Sequence, residues 1–157
     1  PSFAHHGAAS LPRIERAGVI LTVIAGTACG QRSPVEVFSP TLYVDAQLAD
    51  GAVLEVPDEH AQRACYVAQG CIEIDGQAYD EGQFIVLAAD AGPVLVRALQ
   101  ASRVMLAGGA PLDGSRHIYW NFVSSSRERI ETARRDWREQ RFAPVPGDDE
   151  RIPLPDE

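Results

Sequence analysis

Gly51-AVLEV-Pro57-Asp58-Glu59-His60-Ala61-Gln62-Arg63-ACYVAQ-Gly70 is the stretch that decides how this 157-residue chain folds. Two runs rich in apolar residues, 52–56 and 63–68, are each too short for a stable helix and are bounded by turn residues, which is the signature of strands. Gln69-Gly70 closes the second run, since glycine accepts the positive φ that a tight hairpin turn needs. A further run, 71–74, follows at once and ends at a second such turn, Asp75-Gly76. Successive strand residues point to opposite faces, so the pleat predicts that 57, 59 and 63 face inward together with Cys65 and Val67.

The same punctuation continues in both directions. Gly26, Gly30, Gly82 and Gly92 recur between apolar runs, and candidate strands fall at 19–25, 41–48, 84–87, 94–98 and 104–107. Many short antiparallel strands with no alternating helices predict an all-β sandwich or jelly-roll barrel. After Gly108-Gly109 the character changes. Residues 116–123 (RHIYWNFV) read as one more strand, rich in aromatics. A helix is expected over 125–142, with Ser125 capping it and Glu128 bonding back. Ile130, Ala133 and Trp137 share one helical face. Arg134, Arg135, Arg138 and Arg141 crowd its C-terminal half, where positive charge suits the helix dipole; they read as a solvated face. Pro144 and Pro146 stop the helix, and the acidic, proline-rich tail 145–157 needs a surface to lie against if it is to be ordered. The domain reading is an extension or linker over 1–18, a barrel over 19–124, and the helix with its tail over 125–157.

Composition excludes several function classes. The formal charge is −8, from 22 acidic and 14 basic residues, and every basic residue is arginine. An acidic surface repels phosphate backbones, so direct nucleic-acid binding is not expected. The longest apolar runs fall far short of a membrane span, and the first residues lack the pattern of a signal peptide. Three cysteines, Cys29, Cys65 and Cys71, are an odd number without zinc-site spacing, which predicts reduced thiols and a cytoplasmic location. The chain starts at proline rather than methionine, so a longer parent is expected.

The glycine frame around 51–70, with Gly76-QAY-Asp80-Glu81-Gly82-Gln83-Phe84-Ile85 after it, resembles the paired signatures of the cupin superfamily. The signature's histidine positions hold Pro57 and Glu59 here, its glutamate position holds Arg63, and its last histidine position holds Ile85. An iron, copper or nickel site needs three or four converging nitrogen or oxygen donors. Only Glu59 remains, and a Glu59–Arg63 ion pair is the expectation. The closing segment is more specific. Gly108-Gly109-Ala110-Pro111-Leu112, the run Arg116-HIYWNFVSSSRER-Ile130, Pro146-Gly147-Asp148-Asp149-Glu150 and Ile152-Pro153-Leu154-Pro155 resemble the C-terminal half of pirins. So do Arg32-Ser33-Pro34-Val35 and Ser39-Pro40-Thr41-Leu42-Tyr43. The resemblance implies a cupin-type jelly roll with one C-terminal helix. It also implies a second, N-terminal barrel that binds iron, and, in some members, quercetin 2,3-dioxygenase activity. None of that barrel's iron ligands has a counterpart here. The function expected of this chain is therefore structural or interactive. It supports a metal-bearing sister barrel, or binds a protein partner, or self-associates as a dimer, with no metal or cofactor of its own. Iron-dependent dioxygenase chemistry is the alternative, expected of a longer parent.

The remaining candidates are read against plainer roles. His5 and His6 read as exposed linker residues rather than a metal pair. His60 adjoins Glu59 but faces the other way unless a turn at Pro57-Asp58 breaks the alternation. His117 and Asn121, at shared strand parity, line a polar pocket or tie down loops. Tyr119, Trp120, Phe122 and Trp137 form a ligand-stacking set or, as preferred, an interface with a second barrel or a second copy. Cys65 and Cys71 flank a hairpin and read as inert thiols rather than a redox switch.

Overall fold

A computed structural model describes residues 3–89, 92–144, 146–148 and 150–155. Its contacts divide the chain into two compact units, one up to Pro111 and one from Leu112.

The first unit is a two-sheet β-barrel. Its strands are β1 (Arg13–Arg16), β2 (Val19–Ala28), β3 (Gln31–Arg32), β4 (Thr41–Leu48), β5 (Val53–Val56), β6 (Gln62–Gln69), β7 (Cys71–Ile74), β8 (Gln77–Asp80), β9 (Phe84–Leu87), β10 (Val94–Ala98) and β11 (Ser102–Gly109). The larger sheet runs β1-β2-β4-β11-β6-β9, with β3 on the end of β2; the smaller runs β5-β10-β7-β8. Neighbouring strands pair antiparallel, as in β6 with β9, where Arg63 lies opposite Leu87 and Cys65 opposite Ile85.

Alternation explains why these residues enclose a core. Leu54 and Val56 of β5 are buried while Val53 and Glu55 are exposed, and β10 buries Val94, Val96 and Ala98 between exposed neighbours. Leu21, Val23, Val44, Val67, Val104 and Leu106 of the larger sheet close on Ile72, Val96 and Leu54 of the smaller. Each such side chain contributes about 1.5–3 kcal/mol of burial before chain entropy is subtracted.

The expected strands at 41–48, 71–74, 84–87 and 94–98 form with those bounds, while β2, β6 and β11 run longer. Apolar patterning does not announce β1, β3 or β8, which are mostly exposed; only Ile14 and Tyr79 among them pack against the core. Gly70 performs the role read from sequence. Its φ is +88°, and a Cβ there would lie 2.4 Å from Ser102 Oγ. Ser102 explains the closeness: its hydroxyl accepts from the Cys71 amide at 3.2 Å and has the Cys71 carbonyl at 3.0 Å and the Gln100 carbonyl at 2.8 Å as acceptors, joining β11 of one sheet to β7 of the other.

The second unit corrects two expectations. Residues 116–123 are not one strand. They form a hairpin of β12 (His117–Tyr119) and β13 (Phe122–Ser124), with Tyr119 opposite Phe122. The reversal falls on Trp120-Asn121, where Trp120 takes a φ of +52°. The helix, α1 (Arg127–Arg138), is shorter than 125–142 and is capped by Ser126, not Ser125. Ser126 occupies the extended position just ahead of the helix, accepts from the Arg129 amide at 3.3 Å and donates to Glu128 Oε2 at 2.6 Å. Glu128 thus bonds the capping hydroxyl, which holds its carboxyl below the usual range. Ile130 is buried, as its place on the apolar face predicts, and Gln140, at φ +53°, ends the run. The hairpin belongs with the helix; the reading from sequence carries the barrel on to 124, whereas the contacts break near 111.

Candidate functional site

The positions where the cupin signature places metal ligands lie on β6, β9 and the loop between β5 and β6. That loop breaks the alternation expected of 57, 59 and 63. Pro57 is buried, Glu59 is exposed, and His60 and Arg63 are 7% and 5% exposed. The cause is local. β5 stops at Val56, because Pro57 has no amide to continue a ladder, and β6 starts only at Gln62. The loop is tied instead to the β2–β3 turn. Glu59 Oε1 accepts from the Gly30 amide at 3.0 Å, and His60 Nε2 sits 3.0 Å from the Thr27 carbonyl oxygen and 3.1 Å from its hydroxyl.

The expected Glu59–Arg63 ion pair is therefore not formed. Arg63 follows the inward parity of Cys65 and Val67, both fully buried, and its Nη2 donates to the Gly92 carbonyl at 3.3 Å. Its Nε and Nη1 are buried with no hydrogen-bond partner among the described residues. Ile85 is half-buried against the core.

This set does not fit an iron ion. Pro57 and Ile85 offer no donor, Glu59 is turned to the Gly30 amide, and Arg63 places a fixed positive charge where a ligand would stand. Among the described residues, no three His, Cys, Asp or Glu side chains gather closely enough to hold a metal. Burial pushes the Cys65 thiol up to about 12, against a smaller downward pull from Arg63. The Cys71 thiol is also raised, chiefly by its hydrogen bond with Asp80, and Cys29 by burial. All three thiols stay protonated near neutrality, the opposite of what a redox-active cysteine needs.

In the second unit the aromatic residues named from sequence converge. Trp137 stands edge-on to Trp120, with ring centroids 5.1 Å apart, and Phe122 lies 6.2 Å from Trp137. Phe142, which the sequence did not single out, completes the cluster 5.6 Å from Trp137 and stacks on Phe122 at 5.9 Å. Its signal was an aromatic side chain four residues beyond the end of the helix. Arg134 lies over the Tyr119 ring at 4.1 Å, a cation–π contact. His117 and Asn121 do not share a strand: His117 is half-buried on β12 and Asn121 is exposed at the turn, so no polar pocket joins them. Ile118 and Val123, paired across the hairpin, point outward at 71% and 61% exposure. The tail finds its surface: Trp137 Nε1–H donates to the Ile152 carbonyl at 2.8 Å, and Leu154 is buried. Beside it, Trp137, Phe142, Pro144, Asp148, Glu150 and Arg151 line an open concavity of about 430 Å³.

Comparison with known proteins agrees with this architecture. The family described as the Pirin C-terminal cupin domain matches residues 43–143. A pirin-like protein of Caulobacter vibrioides is 46% identical over 158 residues, which cover 99% of this chain and 54% of that protein. The crystal structure of a quercetin 2,3-dioxygenase from Acinetobacter baumannii superimposes with a TM-score of 0.82 at 25% identity, over 92% of this chain and 50% of that one. A second quercetin 2,3-dioxygenase structure from the same organism gives 0.80 at 20% identity, and there the likeness is one of fold. The chain thus spans about half the length of the relatives it matches.

Proposed function

Because this chain belongs to the pirin family, carrying its C-terminal cupin domain, we propose that it is a metal-free structural and interaction barrel. Its work is to support a metal-bearing sister barrel in a two-barrel protein, or to pair with a second copy or a protein partner where that sister is absent. The observation that carries this reading is Arg63: a buried guanidinium occupies a metal-ligand position of the cupin signature. A fixed cation at that point opposes a divalent ion, and the residues around it bring too few donors to offset the repulsion. The docking surface is the hairpin and helix of the second unit. Trp120, Phe122 and Trp137 stiffen it, with Tyr119 under Arg134, while Ile118 and Val123 present apolar area to a partner beside His117 and Asn121.

The second reading is an iron-dependent, quercetin 2,3-dioxygenase-like activity of a longer parent. It is favoured by the likeness to the Acinetobacter baumannii enzyme, twice this chain's matched length. In that reading the chemistry belongs to the other barrel.

Elemental analysis of the purified chain, with a quercetin oxidation assay and light scattering at rising concentration, separates the readings. The expected result is no stoichiometric iron, no turnover and a concentration-dependent dimer. One iron per chain together with quercetin turnover refutes the metal-free reading. A strict monomer at high concentration refutes self-association.

A further inference from the structure

We propose that the end of the barrel around Arg63 is a binding site for a small monocarboxylate. Arg63 stands on β6 of the first unit. Along β6, Cys65 and Val67 are fully buried beside Arg63, and across on β9 its pairing partner Leu87 is 8% exposed, with Ile85 packed on the core. The guanidinium has left water for apolar surroundings, yet among the described residues its one hydrogen bond is the 3.3 Å contact from Nη2 to the Gly92 carbonyl. Nε and Nη1, which carry three N–H groups between them, are buried and have no partner among the described residues.

Such a group is costly to leave so. A guanidinium does not shed its proton in proteins, and a buried charge persists only when it is paired and hydrogen-bonded. Water answers the hydrogen bonds but not the charge. The acid closest along the sequence motif, Glu59, is exposed and engaged by Gly30. The missing component is therefore an acceptor that brings one negative charge. A planar carboxylate matches the guanidinium fork. A single charge balances a single arginine, whereas a phosphate dianion would leave a net negative charge against Leu87, Ile85 and Cys65. Those apolar neighbours suit the hydrocarbon body of a monocarboxylate. The inference rests on the metal-free reading above, because a divalent ion at the signature positions would already share the space with Arg63.

The test holds the chain at constant ionic strength in a zwitterionic buffer and adds sodium acetate or sodium benzoate, with sodium chloride as control. Thermal midpoint and calorimetric heat are read together. A saturable rise in midpoint with one-to-one heat is expected for the carboxylates and not for chloride. Arg63→Met, checked for folding by circular dichroism, loses at least tenfold in affinity, while its midpoint in carboxylate-free buffer is no lower than wild type. A wild-type chain that responds to neither carboxylate overturns the proposal whether or not the variant folds. So does an equal response to chloride, or an unchanged response in the variant. Iron analysis is a separate readout, so failure of the metal-free reading is distinguished from failure of the anion site.

Discussion

Substituting Trp137 separates two things that hold the tail. The indole N–H donates to the Ile152 carbonyl at 2.8 Å, and the ring contacts Trp120, Phe122 and Phe142 at centroid distances of 5.1, 6.2 and 5.6 Å. One hydrogen bond contributes about 1 kcal/mol net. Three aromatic pairs, taken near the low end of their range because Phe142 is exposed, contribute roughly 2 kcal/mol together. Trp137→Phe removes the donor and keeps a ring, so the tail should open about fivefold more often; Trp137→Ala removes both and should open it about a hundredfold more often or beyond. Limited trypsin digestion followed by mass spectrometry reads this directly, because the bond after Arg151 precedes the docked Ile152–Leu154 segment and cleavage tracks the open population when reclosing is fast. A phenylalanine variant cut no faster than wild type refutes the role of the hydrogen bond. An alanine variant cut no faster than the phenylalanine one refutes the role of the rings.

Four further outcomes follow from the barrel. Gly70→Ala forces a side chain at φ +88° to within 2.4 Å of Ser102 Oγ, and chemical denaturation should show a loss of about 2 kcal/mol or more, against a few tenths for an open surface site. Cys65 should resist iodoacetamide in the native chain at pH 8 and react only on unfolding, as counted by peptide mass. The Cys65 thiol is raised from about 9 to about 12 on folding, so its contribution is complete below pH 9 and is lost as pH climbs toward 12; Cys65→Ala should flatten that alkaline limb in denaturation curves. His60→Ala frees the loop from Thr27 and should cost about 1–2 kcal/mol while raising amide exchange at residues 58–61, by hydrogen–deuterium exchange.

What was legible in the sequence was whatever repeats along the chain. Gly70 and the apolar alternation on either side of it announce strand, turn and strand, and the ladders form where that pattern is strongest. β1 escaped notice because Arg13, Glu15 and Arg16 conceal a strand in which Ile14 alone packs against the core. The hairpin at Trp120 was hidden for the opposite reason: a tryptophan seldom takes positive φ, and nothing in RHIYWNFV marks a turn with glycine or proline. At the ligand positions the residue types could be read, but not their directions. Pro57 ends a ladder, five residues lose the alternation, and Glu59 and His60 exchange the sides that simple counting assigns them. Arg63 kept its inward parity because β6 had resumed by then. Its lack of a carboxylate partner among the described residues is a property of three-dimensional packing and has no trace in the order of residues.

The Ser102 hydroxyl has a further consequence. It straddles the seam between the two sheets, bonded to both the amide and the carbonyl of Cys71. A fluctuation that lifts β7 away breaks the contacts to the Cys71 amide and carbonyl together, and the hydroxyl falls back on the Gln100 carbonyl, 2.8 Å away on its own side of the seam. The seam should behave as a latch, shut or released, and the backbone on either side of it should breathe in step.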